Sequence, residues 1–240
     1  MNSGGLDGAR GGSAVSGLKS IIRTFLAVHS YAANTARYDA ALCFISCIMM
    51  LGLYPFPFVQ FNIGEYGTEI SDYACSDTSQ PPIPVSKFTP MALNTTAWME
   101  TAAAMGAKQV ILTAQAGCGF DLWFTNVTLG SGAHKFRYNY TVRESPFAVD
   151  IVRQFVDAAR MAGIQPGMYY IINNNYFLSY RNGAVQPRTS TGQVQVTTAE
   201  YEALVLLQLR ELWTAFGGMV ELWFDGGCPP SLRAKVAMTT

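Results

Sequence analysis

The sequence predicts an α/β protein, an incomplete (β/α)8 TIM-type barrel made of the first four β/α units only, behind a leader of different composition. Three observations carry this expectation. Apolar runs of strand length alternate with amphipathic helical stretches, which argues for a parallel sheet covered on both faces. Helix-to-strand turns are a few residues long, whereas strand-to-helix connections run to about 25–35, against roughly 2–6 in compact α/β units. Elaboration on one side only puts the long loops at the carboxyl ends of the strands, where barrels carry their chemistry. An open doubly wound sheet would more often have a glycine-rich phosphate loop after its first strand. Phe61-Asn62-Ile63-Gly64-Glu65 is not one.

Residues 1–17 are rich in Gly, Ser and Ala, and 1–39 reads as a low-complexity leader without the apolar content to fold. Residues 40–57 are an apolar segment. Within it, Ala40 to Tyr54 is apolar apart from Ser46, and Arg10, Lys19, Arg23 and Arg37 lie upstream. Such a run reads as a signal-anchor or signal-peptide core, although it is short of the roughly 20 residues that cross a bilayer. A buried helix is the other reading, and both stay open. Three sequons, Asn94-Thr95-Thr96, Asn126-Val127-Thr128 and Asn139-Tyr140-Thr141, lean toward the secretory route: extracellular, lysosomal or membrane-anchored through residues 40–54.

Residues 58–240 hold the repeated units. The expected strands are Phe58–Asn62, Gln109–Ala114, Gly167–Ile172 and Met219–Phe224, all rich in β-branched, aromatic and large apolar residues. Between them, Thr96–Met105 sets Trp98, Ala102 and Met105 on one helical face. Phe147–Ala162 does the same with Ala148, Ile151, Val152, Phe155 and Ala159, behind Pro146. The third helix opens on the capping box Thr197-Thr198-Ala199-Glu200 and buries Tyr201, Leu204, Val205, Leu212 and Phe216. Each helix stops at glycine, as a left-handed C-cap favours.

Composition narrows the function classes. Half of the residues are hydrophobic, 13% are charged and the formal net charge is zero, so nothing attracts a nucleic acid. The five cysteines are scattered too widely to suggest a disulfide framework, and with two histidines they suggest no metal site. Cys118 reads as an inert buried thiol. No metal or organic cofactor is expected.

The residue that stands out is Asp225. It ends the apolar run Met219–Phe224 and precedes Gly226-Gly227, the way a barrel presents a catalytic carboxylate. Asp before Gly-Gly is also ordinary turn chemistry. The Asn173-Asn174-Asn175 run reads as a polar loop or a sugar clamp on the same side.

The segments Gly106–Ala114, Cys118–Trp123, Asp150–Ala158, Gly163–Tyr170 and Glu221–Gly226, in that order and spacing, resemble the α-L-fucosidases of glycoside hydrolase family 29. The resemblance covers about residues 58–227. It implies a retaining glycosidase acting on fucosylated glycans through a covalent glycosyl-enzyme ester. It implies Asp225 as nucleophile, with Trp223 packing on the sugar and Tyr170 hydrogen-bonding nearby. Family strands that end in sugar-binding histidines end here in Gln60, Asn62 and Gln115, which could supply amide donors instead. No Asp or Glu follows Asp225, so Glu65 and Glu69, in the loop after the first strand, are the candidates for the acid/base, with Glu65 put first. The alternative is a degenerate relative: a glycan binder or a truncated pseudoenzyme. Four strands would leave sheet edges open, and two half-barrels could close as a homodimer.

Overall fold

The computed structural model describes residues 44–46, 58–66, 75, 80–130, 135–225 and 227–237, all within one compact unit, Cys43–Thr240. The leader, and all of the apolar segment except residues 44–46, lies outside the described residues. So the anchor and signal readings fall there too. Among the described residues no helix is long and apolar enough to cross a membrane.

The strands in chain order are β1 (Phe44–Ser46), β2 (Phe58–Gln60), β3 (Gln109–Gln115), β4 (Thr128–Leu129), β5 (Phe136–Arg137), β6 (Gln165–Ile171), β7 (Tyr180–Arg181), β8 (Ala184–Val185) and β9 (Leu222–Asp225). The helices are α1 (Thr95–Ala104), α2 (Ile151–Met161), α3 (Thr198–Ala215) and α4 (Pro230–Ala237). The main sheet runs β1-β2-β3-β6-β9, with β1 antiparallel to β2 and every other pairing parallel. This is the expected succession of β/α units, extended by one strand. The added strand comes from the apolar stretch, whose described part is extended rather than helical. The small hairpins β4–β5 and β7–β8 lie within the long loops after β3 and β6.

The helices begin where side chains satisfy their free amides. Asn94 accepts from Ala97 N at 3.0 Å, and Thr197 and Glu200 close the expected capping box. The second helix starts later than the sequence suggests. Asp150 accepts from both Arg153 N and Phe124 N, at 2.8 and 3.2 Å, and so makes Ile151 the first helical residue. Ala148 is left outside with φ 44°. At its other end, Gly163 N bonds to Arg160 O and Ile164 N to Ala159 O, the paired bonds of a Schellman closure. Gly163 supplies the left-handed φ of 69° that this closure needs.

Amphipathic spacing decides what is buried. The α2 face of Ile151, Val152, Phe155, Val156 and Ala159 packs against β3 and β6. Removing each large apolar side chain of this kind from water contributes about 1.5–3 kcal/mol. In α3, Tyr201, Leu204, Val205 and Leu212 are buried as expected, and Phe216 caps the row. In α1 the buried residues are Thr95, Met99 and Ala102, with Trp98 half-buried against Phe61. The fourth helix is not among the expected elements, although Pro230 at its first position is a start signal. Lys235 of α4 reaches Glu202 of α3 at 2.9 Å.

Cys118 is not a free thiol. It is bonded to Cys75 across 43 residues, with Cα atoms 5.1 Å apart. The odd count and scattered spacing hide this pairing, because the chain brings the two together only through the loops above the sheet. Closing such a loop stabilises by about 4 kcal/mol on a chain-entropy argument.

Candidate active site

The face on which each strand-end side chain lies decides what the site contains. Parallel register aligns Thr113 with Tyr169, Tyr169 with Trp223 and Ile171 with Asp225. Side chains two apart share a face, so Tyr169, Trp223 and Asp225 lie together. Phe58 of β2 joins them: its ring lies 5.4 Å from Tyr169 and 5.5 Å from Trp223, and the latter two are 5.8 Å apart. Two strands separate β2 from β9, so in a flat sheet the backbones would stand about 14 Å apart. Edge contact between Phe58 and Trp223 therefore requires the sheet to curl, and this face is the concave one. Gly167 permits it, because a Cβ there would lie 2.5 Å from Ile111 Cδ1.

Asp225 sits at the carboxyl end of β9 on this concave face. The Tyr169 hydroxyl donates to its Oδ2 at 2.6 Å. The carboxylate is exposed and Trp223 is half-buried, because β9 is the last strand of the sheet. Asp225 is the last residue of its strand, paired in register with Ile171.

The tyrosine at the carboxylate is Tyr169, not Tyr170. Tyr170 lies opposite Phe224 and faces the helices, where its hydroxyl donates to Gln208 Oε1 of α3 at 2.6 Å. A one-residue step along a strand exchanges faces, and apolar flanks on both sides conceal which residue faces inward. Gln115 is displaced for a related reason. A bulge between Thr113 and Gln115 moves Gln115 from the Thr113 face to a position opposite Tyr170. There its amide donates to Asp121 Oδ1 at 3.1 Å and to Gln208 Oε1 at 3.4 Å. Asn62 is also occupied internally: Oδ1 accepts from Ile63 N at 2.8 Å and Nδ2 donates to Phe120 O at 3.4 Å. It shapes the 3-10 turn Ile63–Tyr66, in which Glu65 lies. The side chains of Gln60 and Glu65 lie outside the described residues.

Behind the sheet is a network the sequence reading missed. Asp121 is fully buried and accepts amide donors from Gln115 and Gln208. Burial, with Glu211 nearby adding like charge, pushes its carboxyl well above the usual range, and the Gln115 amide opposes this in part. Tyr138 donates to Gly119 O and accepts from Asn175 Nδ2 at 2.9 Å. Asn175 Oδ1 caps the 3-10 turn at Leu178 N, and Asn174 Oδ1 accepts from Asn182 N. Asn174 and Asn175 thus brace the loop. Asp121 follows the glycine and phenylalanine of the Cys118–Trp123 segment, and that placement was the only available signal.

A cleft of about 360 Å³ lies at the opposite, amino-terminal end of β6 and β9, lined by Arg160, Ile164, Pro166, Gly218, Met219 and Val220. Barrel chemistry sits at the carboxyl ends, so this cleft is not the candidate site. Among the described residues no cluster of three His, Cys, Asp or Glu side chains could hold a metal ion.

A parallel β/α sheet curled around an aromatic face, with a carboxylate at a strand's carboxyl end, is the arrangement of barrel enzymes that act on sugars. The family description "Alpha-L-fucosidase" matches residues 54–239, and the chain belongs to that family. It is 32% identical over 144 residues to Alpha-L-fucosidase 1 of Arabidopsis thaliana, which covers 59% of this chain and 24% of that protein. A crystal structure of a candidate α-L-fucosidase from Bacteroides thetaiotaomicron superimposes with a TM-score of 0.61 at 27% identity, covering 76% of this chain and 41% of that one. A second α-L-fucosidase structure from Bacteroides thetaiotaomicron shares the fold at 22% identity, with a TM-score of 0.56 over 70% of this chain and 38% of that one. The chain thus spans about a quarter of the length of its curated relative.

Proposed function

We propose that this chain carries the nucleophile of a retaining α-L-fucosidase, and that the nucleophile is Asp225. The observation that supports this is the position of that carboxylate on the concave face, beside the Trp223 ring and held by the Tyr169 hydroxyl. One carboxylate oxygen attacks the anomeric carbon of an α-L-fucoside. The new carbon–oxygen bond forms as the glycosidic bond breaks, and an acid protonates the departing oxygen. Water then opens the ester, with the same acid acting as base. Glu65 is the residue proposed for that role, from its place in the turn that follows β2. The Tyr169 hydrogen bond orients the carboxylate, and the edge of Trp223 gives the sugar an apolar wall. The substrate class is a fucosylated glycan or glycoconjugate.

The test is release of aryl alcohol from an aryl α-L-fucoside by the wild type and by Asp225→Ala. Turnover by the wild type that vanishes in the variant is expected. Turnover that persists in the variant sinks the assignment.

A second reading, a degenerate relative that binds a glycan, or nothing, without cleavage, is favoured by one observation. Asn62 and Gln115, the amides standing where the family has sugar-binding histidines, are engaged in internal hydrogen bonds. No alcohol release by the wild type, with or without saturable binding of fucose, would favour that reading over catalysis.

A further inference from the structure

We propose that Asn94, Asn126 and Asn139 carry N-linked glycans, added as the chain enters an oxidising secretory compartment. This does not rest on the fucosidase reading. Two independent features support it.

The first is placement. Each asparagine heads an Asn-X-Thr sequence without proline at the middle position. All three are exposed in a structure that buries their neighbours. Just beyond the β4–β5 pairing, where Tyr138 N still bonds to Val127 O, Val127 and Tyr138 turn inward, 5% and 0% exposed, and Asn126 and Asn139 face outward. Tyr140, on the other side of Asn139, is again buried. A glycan on either asparagine meets solvent rather than core. At Asn94 the helix cap uses Oδ1, whereas the sugar joins Nδ2, so modification leaves the cap intact.

The second feature is the Cys75–Cys118 disulfide. Such a bond forms and persists in compartments where N-glycosylation also occurs, and is rare in the reducing cytosol.

The chemistry needs a lipid-linked oligosaccharide diphosphate as donor. The asparagine Nδ2 forms a bond to the anomeric carbon as the sugar–phosphate bond breaks, the lipid diphosphate departs, and the amide loses one proton. The threonine two residues on must be reachable at that moment. In the folded chain Thr141 is fully buried and donates to Trp123 O, so Asn139 is modified before the hairpin closes. Thr96 is exposed and Thr128 half-buried.

The experiment expresses the full chain in a eukaryotic cell, with and without an added secretion signal, and treats each product with a peptide N-glycosidase. The native chain should lose three steps of apparent mass. Thr96→Ala, which keeps the Asn94 cap, and Asn126→Gln and Asn139→Gln should each remove one step. Alkylation without reductant should leave Cys75 and Cys118 unlabelled. A native chain that shows no step overturns the proposal, whether or not the signal-fused chain is modified. A site whose variant leaves the pattern unchanged is overturned individually.

Discussion

Two aspartates stand on opposite sides of one sheet and have opposite environments. Asp121 lies behind it, fully buried, between the amides of Gln115 and Gln208. Asp225 lies in front, exposed, beside the Tyr169 hydroxyl and an aromatic wall. Both follow apolar residues and both come from segments that resemble the same family. The difference is burial. A carboxylate saturated with amide donors and shut off from water holds loops together, whereas one at a strand end with an open approach is available to react. A short motif therefore does not reveal whether its carboxylate ends up buried or open to solvent.

The largest expected effect tests the front face. Asp225→Ala should lower turnover of an aryl α-L-fucoside by about 10³-fold or more, as loss of a covalent nucleophile does. The same change should leave the urea midpoint nearly unmoved, because the side chain is exposed. A large drop in stability would make Asp225 structural and dissolve the contrast.

Next comes the disulfide-closed loop. Cys118→Ser should cost about 4 kcal/mol, read from denaturant unfolding, because it reopens the loop back to Cys75. An unchanged midpoint would show that the loop is held by packing alone.

Asp121→Ala should cost about 2–4 kcal/mol, since it leaves the Gln115 and Gln208 amides short of an acceptor. Its pH signature has a definite sign. Burial raises the folded-state carboxyl well above its usual range, so the folded chain holds that proton more tightly than the unfolded chain. Its stabilising contribution is complete below the ordinary carboxylate pKa of about 4 and is lost as pH rises toward the folded value. Wild-type stability should fall over that window and Asp121→Asn should flatten the fall. Equal slopes would place the ionised form comfortably in the network.

The smallest effect separates the two tyrosines. Tyr169→Phe should reduce turnover by about 10-fold through loss of one hydrogen bond to a charged group. Tyr170→Phe should touch stability alone, through Gln208. The reverse pattern would mean that the register places the wrong side chain at Asp225.

Much of the architecture was legible because local chemistry repeats it. Strand-length apolar runs, the Thr197–Glu200 box and the glycine stops mark where elements begin and end, and three of the four helices follow. The start of the second helix was misread because Asp150 competes with Pro146 as the entry signal, and only the Phe124 amide, 26 residues away, reinforces Asp150. Of the strand-end residues, Asp225 and Trp223 fall on the concave face as their alternation suggests. Tyr170 and Gln115 do not, because neither the register between strands nor a bulge is written in the strand that carries them.

By itself, then, the sequence determined the alternation of β and α, the buried faces of α2 and α3 and the carboxylate at the end of β9, since these depend on residues close along the chain. Tertiary structure decided the Cys75–Cys118 bond, the exchange of Tyr170 for Tyr169 and the burial of Asp121. Each of these depends on which distant segments meet, and that is set by strand register and loop closure over tens of residues, where no local preference acts.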